Sequence, residues 1–413
     1  MSRAIVHMDL DTFFVSCVRL ENTQLNGIPI IVGGGDRGVV ASCSYEARYF
    51  GVRSAMPIRM AMQLCPQAKI IKGDMELFSK KSHEVTQIIE EIAPVVEKAS
   101  IDEFYLDITG MDKFYGCYQW TNELINKITR ETGLPISFAL SVNKTVSKIG
   151  TGEGKPKGKL EISQNNVQPF LNPLSIRKIP MLGEVTFNLL SRLGIRNIEK
   201  LAQTPAEVLQ SMIGKNGIEI WKKANGIDNN PVEPYTERKS LSTEHTFTQD
   251  TIDIKKMQSL IMGMVEKLAF QARSEEWLVS TVVVKIRYAN FDTESQQKKI
   301  AYNSCDHVLV KVALELFHKL YTRRMRIRLV GVTFSGLVRG TYQLNMFEDT
   351  EEMLSLYQAL DKLKKRYGFN AVGRANTILK TNSHPPESIV SPPQTGTHNP
   401  HPPEGGNPQP SSP

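Results

Sequence analysis

The segment AIVHMDLD at residues 4–11 is an apolar run that ends in two aspartates, and SIDEFYL at residues 100–106 encloses a second acidic pair. Each segment predicts a β-strand that carries carboxylates at one end. If these strands are neighbours in one sheet, Asp9, Asp102 and Glu103 converge on one point. Carboxylates so close repel one another unless a divalent cation lies between them, and an oxygen-rich site suits Mg²⁺. Such a site serves phosphoryl or nucleotidyl transfer; for either segment alone, strand-end acids that face water are the alternative.

The composition limits the class of protein. With 413 residues, 40% of them hydrophobic, and a mean hydropathy of -0.26, the chain is long enough for roughly two to four domains with buried cores. It has no apolar run of transmembrane length and no signal-peptide pattern, so we expect no membrane attachment. The five cysteines form no C-x-x-C pair, which argues against a disulfide framework or a zinc site and favours the cytoplasm. A net charge of +7 and an isoelectric point near 9.0 favour a polyanionic partner.

The order of elements around the acids predicts a particular sheet. Residues 4–10 and 136–141 read as strands, and apolar periodicity predicts helices at about 76–92 and 118–132. With the strands beside the second acidic pair, this is a split βαβ arrangement, which brings residue 9 next to residue 102. The other elements predicted before residue 66 are a helix at 11–25, a hairpin with strands at 29–32 and 39–42, and two short helices. The hairpin turn, Gly33 to Gly38, fits G-x-G-x-x-G, but a strand follows where a dinucleotide site needs a helix.

The pattern changes in the second half of the chain. Residues 174–228 predict short helices without strands, and residues 229–239, which hold two prolines, predict an exposed linker. A separate α+β domain begins at residue 241. Its predicted elements are strands at 281–286 and 329–333, with one helix between them at about 306–322. Residues 351–367 predict another helix after this domain. From residue 381 onward Pro, Gly, Ser, Asn and His dominate, which predicts a disordered tail.

Two further stretches carry residues that bind phosphate. The stretch YEAR at residues 45–48 opens a helix, where Arg48 and the phenol of Tyr45 can grip a triphosphate through charge-assisted hydrogen bonds. Lys148 and the loop KPKGK at residues 155–159 supply further cations, although this loop lacks the spacing of a P-loop. A surface arginine and a solvated basic loop are the respective alternatives.

Five motifs occur in one order: MDLDTFF at 8–14, YEAR at 45–48, SIDE at 100–103, NK at 143–144 and KPKG at 155–158. Together they resemble the Y-family translesion DNA polymerases of the DinB type, the bacterial DNA polymerases IV, over residues 4–380. The resemblance implies an α+β multidomain fold shaped like a right hand, with a split-βαβ (ferredoxin-like) palm and a C-terminal α+β little finger. The implied parts are a palm at 1–10 and 73–163, small fingers at 11–72, a helical thumb at 164–229, a linker at 230–240, a little finger at 241–341, a clamp-binding peptide and helix at 342–380, and a disordered tail at 381–413.

The resemblance also implies an activity and its residues. The activity is template-directed addition of deoxynucleotides to a primer 3′ end, opposite damaged or undamaged template, by two-metal-ion transfer with low fidelity and no proofreading. The implied catalytic acids are Asp9, Asp102 and Glu103, which with the Leu10 carbonyl would hold two Mg²⁺ ions per active site. The positions that match nucleotide contacts are Phe13, Phe14, Ser42, Tyr45, Arg48 and Lys155. Phe14 matches the steric gate, whose ring leaves no room for a 2′-hydroxyl; core packing is its alternative. Asp11 is expected to have a structural or minor role.

Several implied DNA contacts lie outside the catalytic part. The stretches IPMLG at 179–183 and LGI at 193–195 resemble a helix–hairpin–helix, whose backbone N–H groups bind a phosphate without reading sequence. Met181 stands where the first glycine is usual, so a plain helical thumb is an alternative. The basic run at 323–328 can face one side of a strand and bind the DNA backbone, with a solvated basic edge as its alternative. The implied DNA contacts are Lys148, Gly183, Lys285, Arg287, Arg324, Arg326 and Arg328.

The stretch QLNMF at residues 343–347 resembles a sliding-clamp peptide. Gln343 would enter a polar notch, while Leu344, Met346 and Phe347 would fill an apolar groove. The implied partners are therefore primer–template DNA, deoxynucleoside triphosphates and the replication sliding clamp, for a cytoplasmic monomer that binds no membrane.

Two other functions remain open at this point. Residues 9–12, DLDT, fit the opening of a haloacid-dehalogenase-type phosphatase, in which Asp9 would be the nucleophile and Asp11 the acid/base; that fold needs a doubly wound parallel sheet. A non-catalytic DNA-binding scaffold with a degenerate palm is the second alternative, and the intact acidic trio argues against it.

Overall fold

The computed structural model describes residues 3–35, 37–111, 116–234, 237–340 and 351–375. The chain forms two compact units, Met1–Arg238 and Lys239–Pro413, and the division between them falls inside the predicted linker. The predicted clamp peptide at 343–347 and the predicted tail from residue 381 lie outside the described residues. Among the helices of the described segments, none is long and apolar enough to cross a membrane.

The first unit begins with alternating strands and helices and ends with helices. Its elements up to residue 107 are β1 (Ile5–Leu10), α1 (Phe13–Glu21), β2 (Ile30–Gly33), β3 (Val40–Cys43), α2 (Tyr45–Tyr49), α3 (Ile58–Leu64), β4 (Lys69–Ile71), α4 (Met75–Glu90), β5 (Val96–Lys98) and β6 (Glu103–Asp107). Those that follow are α5 (Cys117–Thr132), β7 (Ile136–Ser141), α6 (Lys144–Gly154), β8 (Lys159–Glu161), α7 (Val167–Leu171), α8 (Glu184–Arg192), α9 (Ile198–Gln203), α10 (Ala206–Ile213) and α11 (Lys215–Ala224).

Five strands form the central sheet of this unit, in the order β5-β6-β1-β7-β8, with β1 antiparallel to both β6 and β7. Side chains alternate between the two faces of a strand. Val6, Met8 and Leu10 are buried on one face and join the apolar core that α4 and α5 cover, whereas His7 and Asp9 belong to the opposite face. The predicted split βαβ order is confirmed. The three-residue strand β8, which pairs in parallel with β7, is not predicted by the sequence.

Helix α6 lies against the opposite face of the central sheet. It approaches closely because Gly150 has no side chain: a Cβ there would lie 2.8 Å from the Cβ of Ala139. The helix begins at Asn143, whose side chain accepts a hydrogen bond from the Val146 N–H. This packing brings Lys148 and the loop after α6 to the end of β1.

A second, three-stranded sheet contains the predicted hairpin. Strands β2 and β3 are antiparallel, and β4, which is not predicted, pairs in parallel with β2. The turn needs glycine, because a Cβ on Gly38 would lie 1.7 Å from the carbonyl oxygen of Gly34. The Ser44 hydroxyl then caps α2 by accepting from the Ala47 N–H, and it also accepts from the Ile30 N–H at 3.0 Å. The hairpin therefore delivers the YEAR helix to a fixed position.

The segment 174–228 is helical, as predicted, and α8 to α11 share one apolar core. The segment after it differs in part from the prediction of an exposed linker. Val232 is 7% exposed and packs with Ile5 and Tyr105, and the Glu233 N–H donates to a carboxylate oxygen of Glu97 at 2.8 Å. The linker prediction is therefore wrong at Val232. This valine is a single apolar residue between Pro231 and Glu233, so its sequence neighbours do not indicate a core position.

The second unit contains β9 (Ser240–Thr251), α12 (Ile254–Ser274), β10 (Trp277–Tyr288), β11 (Thr293–Asn303), α13 (Asp306–Leu320), β12 (Ile327–Arg339) and α14 (Glu351–Tyr367). Its sheet has the order β11-β10-β12-β9, all antiparallel, and α12 and α13 share a core with one face of it. Both predicted strands and the predicted helices at 306–322 and 351–367 are confirmed. Helix α12 is not predicted, although its buried Met257, Ile261, Met264 and Leu268 have helical spacing.

Helix α14 packs on this unit through polar contacts. The Arg273 guanidinium donates to both carboxylate oxygens of Asp361, at 2.7 and 2.9 Å, and to Asp306 at 2.6 Å. The Tyr357 hydroxyl lies 2.9 Å from Nδ1 of His307. The side chains of Arg273, Asp306 and Asp361 are only 14%, 6% and 15% exposed, so these charges depend on one another.

Candidate active site

The two acidic segments meet at one edge of the central sheet. Asp9 is the register partner of Glu103, and the Leu10 N–H donates to the Asp102 carbonyl at 3.0 Å. Asp9, Leu10 and Asp102 line one cavity of about 130 Å³. The expectation that these strands are neighbours is confirmed; Asp9 and Asp102 share the cavity, whereas Glu103 lies beside Asp9 on the next strand and does not line it.

Asp102 and Glu103 are consecutive, yet strand alternation does not separate them. Strand β6 begins at Glu103, so Asp102 belongs to the preceding turn. The Ser100 hydroxyl stabilises this turn: it accepts from the Glu103 N–H at 3.0 Å and donates to the Asp102 carboxylate at 2.6 Å. Because Asp102 lies outside the pleated strand, both side chains reach the same edge of the sheet.

Lysines hold two of the three carboxylates. Lys155 forms an ion pair with Asp9, and Lys148 on α6 donates to both oxygens of Glu103 at 2.7 and 2.8 Å. Burial raises the pKa of Asp9 to about 7, and the negative charges of Asp102 and Glu103 act in the same direction, against the opposing effect of Lys155. The Asp9 carboxyl therefore holds a proton more readily than an exposed aspartate does.

The donor set fits Mg²⁺ in chemistry but not yet in arrangement. Carboxylate and carbonyl oxygens are the ligands that Mg²⁺ prefers. However, no group of three or more His, Cys, Asp or Glu side chains in the described ranges is arranged to hold a metal ion. Instead, Lys148 contacts both carboxylate oxygens of Glu103, and Lys155 contacts one oxygen of Asp9. A cation at these oxygens would compete with the two ammonium groups.

Asp11 has a different environment from Asp9. It is 1% exposed, accepts from the Ser137 hydroxyl at 2.8 and 2.9 Å, and accepts from the Lys157 N–H at 2.7 Å. These contacts connect β1 to β7 and to the loop after α6, which is a structural arrangement. An acid/base role for Asp11 needs an accessible carboxylate, and a haloacid-dehalogenase fold needs a parallel sheet. The antiparallel pairing of β1 with β6 and β7 excludes that fold.

Most of the predicted nucleotide contacts surround the same cavity. Its lining includes Phe13, Phe14, Ser42, Arg48 and Lys155, together with Thr12, Ala41 and Ser54, which sequence reasoning did not single out. The Arg48 guanidinium lies 4.9 Å from the centroid of the Tyr45 ring, and the Tyr45 hydroxyl lies 3.5 Å from Asp11. Acidic and cationic side chains thus line the same small space.

Phe78 is a site residue that the sequence did not reveal. Its ring stacks on Phe14 with centroids 4.3 Å apart and an interplanar angle of 16°. Phe78 itself is fully buried on α4, so it fixes the orientation of the Phe14 ring. Phe78 lies within the helix predicted at 76–92, but the periodicity of a helix does not identify which distant residue a side chain contacts.

The residues predicted to contact DNA are dispersed in both units. Lys148 lies in the acidic cluster, paired with Glu103. Gly183 precedes α8, in a hairpin where Met181 has φ 73° and is 91% exposed. In the second unit, Lys285 pairs with Glu244 and Arg287 donates to the Thr293 hydroxyl at 2.8 Å.

The basic run before β12 is arranged differently from the prediction. Because β12 begins at Ile327, Arg324 and Arg326 belong to the exposed turn before it and do not alternate along a strand. Arg328 is on the strand, and its guanidinium lies 4.6 Å from the centroid of the Phe291 ring. Arg323 forms ion pairs with Asp292 and Glu294. The alternating cations predict a strand over the run 323–328, but residues 323–326 form a turn and only Ile327 and Arg328 of the run belong to β12.

Comparisons with known proteins agree on one family. Residues 8–152 match the impB/mucB/samB family, and residues 238–346 match the impB/mucB/samB family C-terminal domain. The DNA polymerase IV of Dehalococcoides mccartyi is 35% identical over 380 residues, which cover 91% of this chain and 97% of that protein. Among solved structures, a Y-family chimera of the polymerases Dbh and Dpo4 aligns with a TM-score of 0.72 and 26% identity, and an insertion ternary complex of Dbh DNA polymerase aligns with 0.61 and 25%. Each covers 82% of this chain and is itself covered completely.

Proposed function

The chain belongs to the Y-family translesion DNA polymerases of the DNA polymerase IV type, a family of DNA-directed DNA polymerases, and on this premise we propose that it works by two-metal-ion nucleotidyl transfer. In this proposal Asp9, Asp102, Glu103 and the Leu10 carbonyl hold two Mg²⁺ ions. Mg²⁺, when bound, lowers the pKa of the primer 3′-hydroxyl and stabilises the leaving pyrophosphate. The polymerase has low fidelity and does not proofread.

One observation supports this proposal above the others. The cavity beside Asp9 and Asp102 is also lined by Arg48, Lys155 and Phe14. One space therefore contains carboxylates that can bind metal ions, cationic side chains that can bind phosphates, and an aromatic ring that can contact the sugar. Ser42 adds a hydroxyl group to this cavity, whereas Tyr45 lines a second cavity with Asp11, and its contact with the triphosphate is proposed from the family alone. Lys155, which now contacts Asp9, would exchange this carboxylate for a triphosphate oxygen as the metal ion takes its place.

The remaining parts of the polymerase are proposed from the family. Residues 1–10 with 73–163 form the palm, 11–72 the fingers, 164–229 the thumb and 241–341 the little finger. The hairpin at Gly183 and the basic residues Lys285, Arg287, Arg324, Arg326 and Arg328 bind the DNA backbone. The peptide at 343–347 binds the sliding clamp, and the protein acts as a monomer in the cytoplasm.

The decisive experiment is primer extension by the purified chain with Mg²⁺, on undamaged templates and on templates with defined lesions, with and without a sliding clamp. We expect extension past at least one lesion and a gain from the clamp. Asp102→Asn serves as the matched control for a contaminating polymerase and is expected to extend no primer. Absence of extension by the pure wild-type chain would remove the proposal.

A second experiment tests the steric gate. In Phe14→Ala the space below the sugar opens, so ribonucleotide incorporation is expected to rise about 10- to 200-fold relative to deoxynucleotide incorporation, the range for one pocket contact. Phe78→Leu leaves the Phe14 ring in place but removes its stacking partner, and a smaller rise is expected. Unchanged sugar discrimination in Phe14→Ala would exclude Phe14 from this role.

A further inference from the structure

His7 is a buried polar residue beside the proposed metal ligands. It lies two residues before Asp9 on the same face of β1, and its side chain is 1% exposed. Its ring packs edge-on against Tyr105, with centroids 4.7 Å apart. On α6, which covers this face, the Thr151 hydroxyl donates to the His7 carbonyl at 2.9 Å. The main chain of His7 is therefore fully engaged, while its imidazole lies between the sheet and the helix.

Neither imidazole nitrogen of His7 has a hydrogen-bond partner among the residues that the structure describes. A buried polar atom without a partner costs free energy, so a native protein keeps one only for a reason. An apolar residue such as leucine would fill this position without that cost. The persistence of an unsatisfied imidazole therefore points to a partner that it acquires in another state of the enzyme.

The nearest candidate is Glu103. Nε2 of His7 lies 3.9 Å from Oε1 of Glu103, about 1 Å beyond hydrogen-bond range. In this state Lys148 occupies both oxygens of Glu103. An imidazole carries at least one N–H, which it can donate to a carboxylate oxygen.

We propose that His7 is a positioning residue for Glu103: it donates its Nε2–H to Oε1 when Lys148 leaves, and so holds the other carboxylate oxygen toward the metal ion. This inference rests on the proposed role of Glu103 in holding a metal. Lys148 leaves because an ammonium group and a divalent cation at one carboxylate repel each other, and because primer phosphates attract it. A hydrogen-bond partner that orients a ligating side chain typically changes metal affinity by about 10- to 100-fold.

The test measures Mn²⁺ binding to the full chain with primer–template DNA and no nucleotide, by electron paramagnetic resonance of the free ion. His7→Leu removes the donor and is expected to weaken Mn²⁺ binding about tenfold or more, while the midpoint of urea unfolding stays or rises because two unsatisfied nitrogens are gone. His7→Gln places an amide N–H near the position of Nε2 and is expected to restore most of the affinity. In extension assays, His7→Leu should raise the half-saturating Mg²⁺ concentration more than it lowers the maximal rate.

Two controls separate the possible outcomes. Ile5→Val changes packing on the same face of β1 without approaching Glu103, so it should lower the unfolding midpoint and leave Mn²⁺ affinity unchanged. Glu103→Gln should weaken Mn²⁺ binding by itself. If Glu103→Gln weakens binding but His7→Leu does not, the role of His7 is overturned while the proposed function stands. If Glu103→Gln also binds Mn²⁺ normally, the metal role of Glu103 is wrong and the inference fails with it.

If His7→Leu does not fold, His7→Asn replaces it, because the asparagine amide is too short to reach Glu103. Equal Mn²⁺ affinity of the His7→Asn and His7→Gln variants would then overturn the inference.

Discussion

The two sheets of this protein differ in how exposed their charged side chains are. In each sheet, the charges in question lie on the face that is turned away from the main apolar core. In the central sheet of the first unit, α6 covers that face, and the charges there are paired and partly buried: Asp9 and Lys155 are 13% and 23% exposed, and Glu103 and Lys148 are 24% and 33% exposed. In the sheet of the second unit, Lys285 on β10 and its partner Glu244 on β9 are 37% and 39% exposed. The less exposed a pair is, the more each charge depends on its partner, whereas exposed charges are screened by salt and act additively. The partly buried pairs of the first unit suit a localised active site, whereas the exposed charges of the second sheet suit binding along the backbone of a polyanion.

The largest effect is expected from a charge of the covered face. Asp9→Asn is expected to reduce the rate of primer extension at least about a thousandfold, since a metal ion contributes several kcal/mol to the stabilisation of the transition state. Asp11→Asn, its matched control two residues away, should instead destabilise the fold by about 1–3 kcal/mol, because an NH₂ group replaces one of the two carboxylate oxygens that accept from Ser137, and the Lys157 N–H loses a charged acceptor. Single-turnover extension and urea unfolding measure the two effects. A larger loss of activity in Asp11→Asn than in Asp9→Asn would reverse the assignment.

The second unit also has buried charges, away from the basic residues of β10, and they sharpen the comparison. Arg273→Met leaves Asp306 and Asp361 without their shared cation, so the free energy of unfolding of this unit is expected to fall by about 3–5 kcal/mol. The control is Lys298→Met, which breaks an exposed pair with Glu315, 45% and 40% exposed, and should leave the free energy of unfolding nearly unchanged, because solvent screens this pair. Urea unfolding of the full chain measures both. Equal costs would show that burial does not distinguish these pairs.

Helices and strands with a long apolar pattern could be predicted from the sequence, and very short elements could not. Strand β7 and helix α13 could be read from the sequence because each repeats its apolar period several times. The three-residue strands β4 and β8 are too short for any period, and they form because longer neighbours offer them backbone partners. Helix α12 is a different case: its buried apolar residues have helical spacing, so its sequence is sufficient to predict it.

The candidate site shows the same limit for contacts between distant residues. Asp9, Asp102 and Glu103 could be predicted because each ends or precedes an apolar strand, and the split βαβ order places those ends together. The stacking of Phe78 on Phe14, the docking of Val232 on Ile5 and the pairing of Arg273 with Asp361 join residues that no local pattern connects. The turn that contains Arg324 and Arg326 has the sequence pattern of a strand, because its cations alternate with the two-residue period of a strand.

A moderate effect is expected from the exposed charges of the second sheet. Arg287→Gln should reduce the slope of log affinity for DNA against log salt by about 0.9, the value for one phosphate contact. Lys285→Gln should have a smaller effect, because Glu244 already neutralises that ammonium group. Glu244→Gln releases Lys285 and should strengthen DNA binding. Fluorescence anisotropy at several salt concentrations measures the three slopes, and a Glu244→Gln variant that binds more weakly would contradict the idea that these charges add independently.

The smallest effect is expected at Met181, in the hairpin of the first unit. Its φ of 73° is the left-handed conformation that a glycine adopts easily and that costs other residues about 1–2 kcal/mol. Met181→Gly removes this strain but increases the freedom of the unfolded chain, so the free energy of unfolding should change by less than about 1 kcal/mol. The hairpin already has the backbone that a glycine would give it, so duplex affinity should also stay nearly constant. Gly194→Ala, at a φ of 81°, is the control and should destabilise the fold, because alanine adds strain where none existed. A clear gain of DNA affinity in Met181→Gly would show instead that the exposed methionine side chain hinders the phosphate contact.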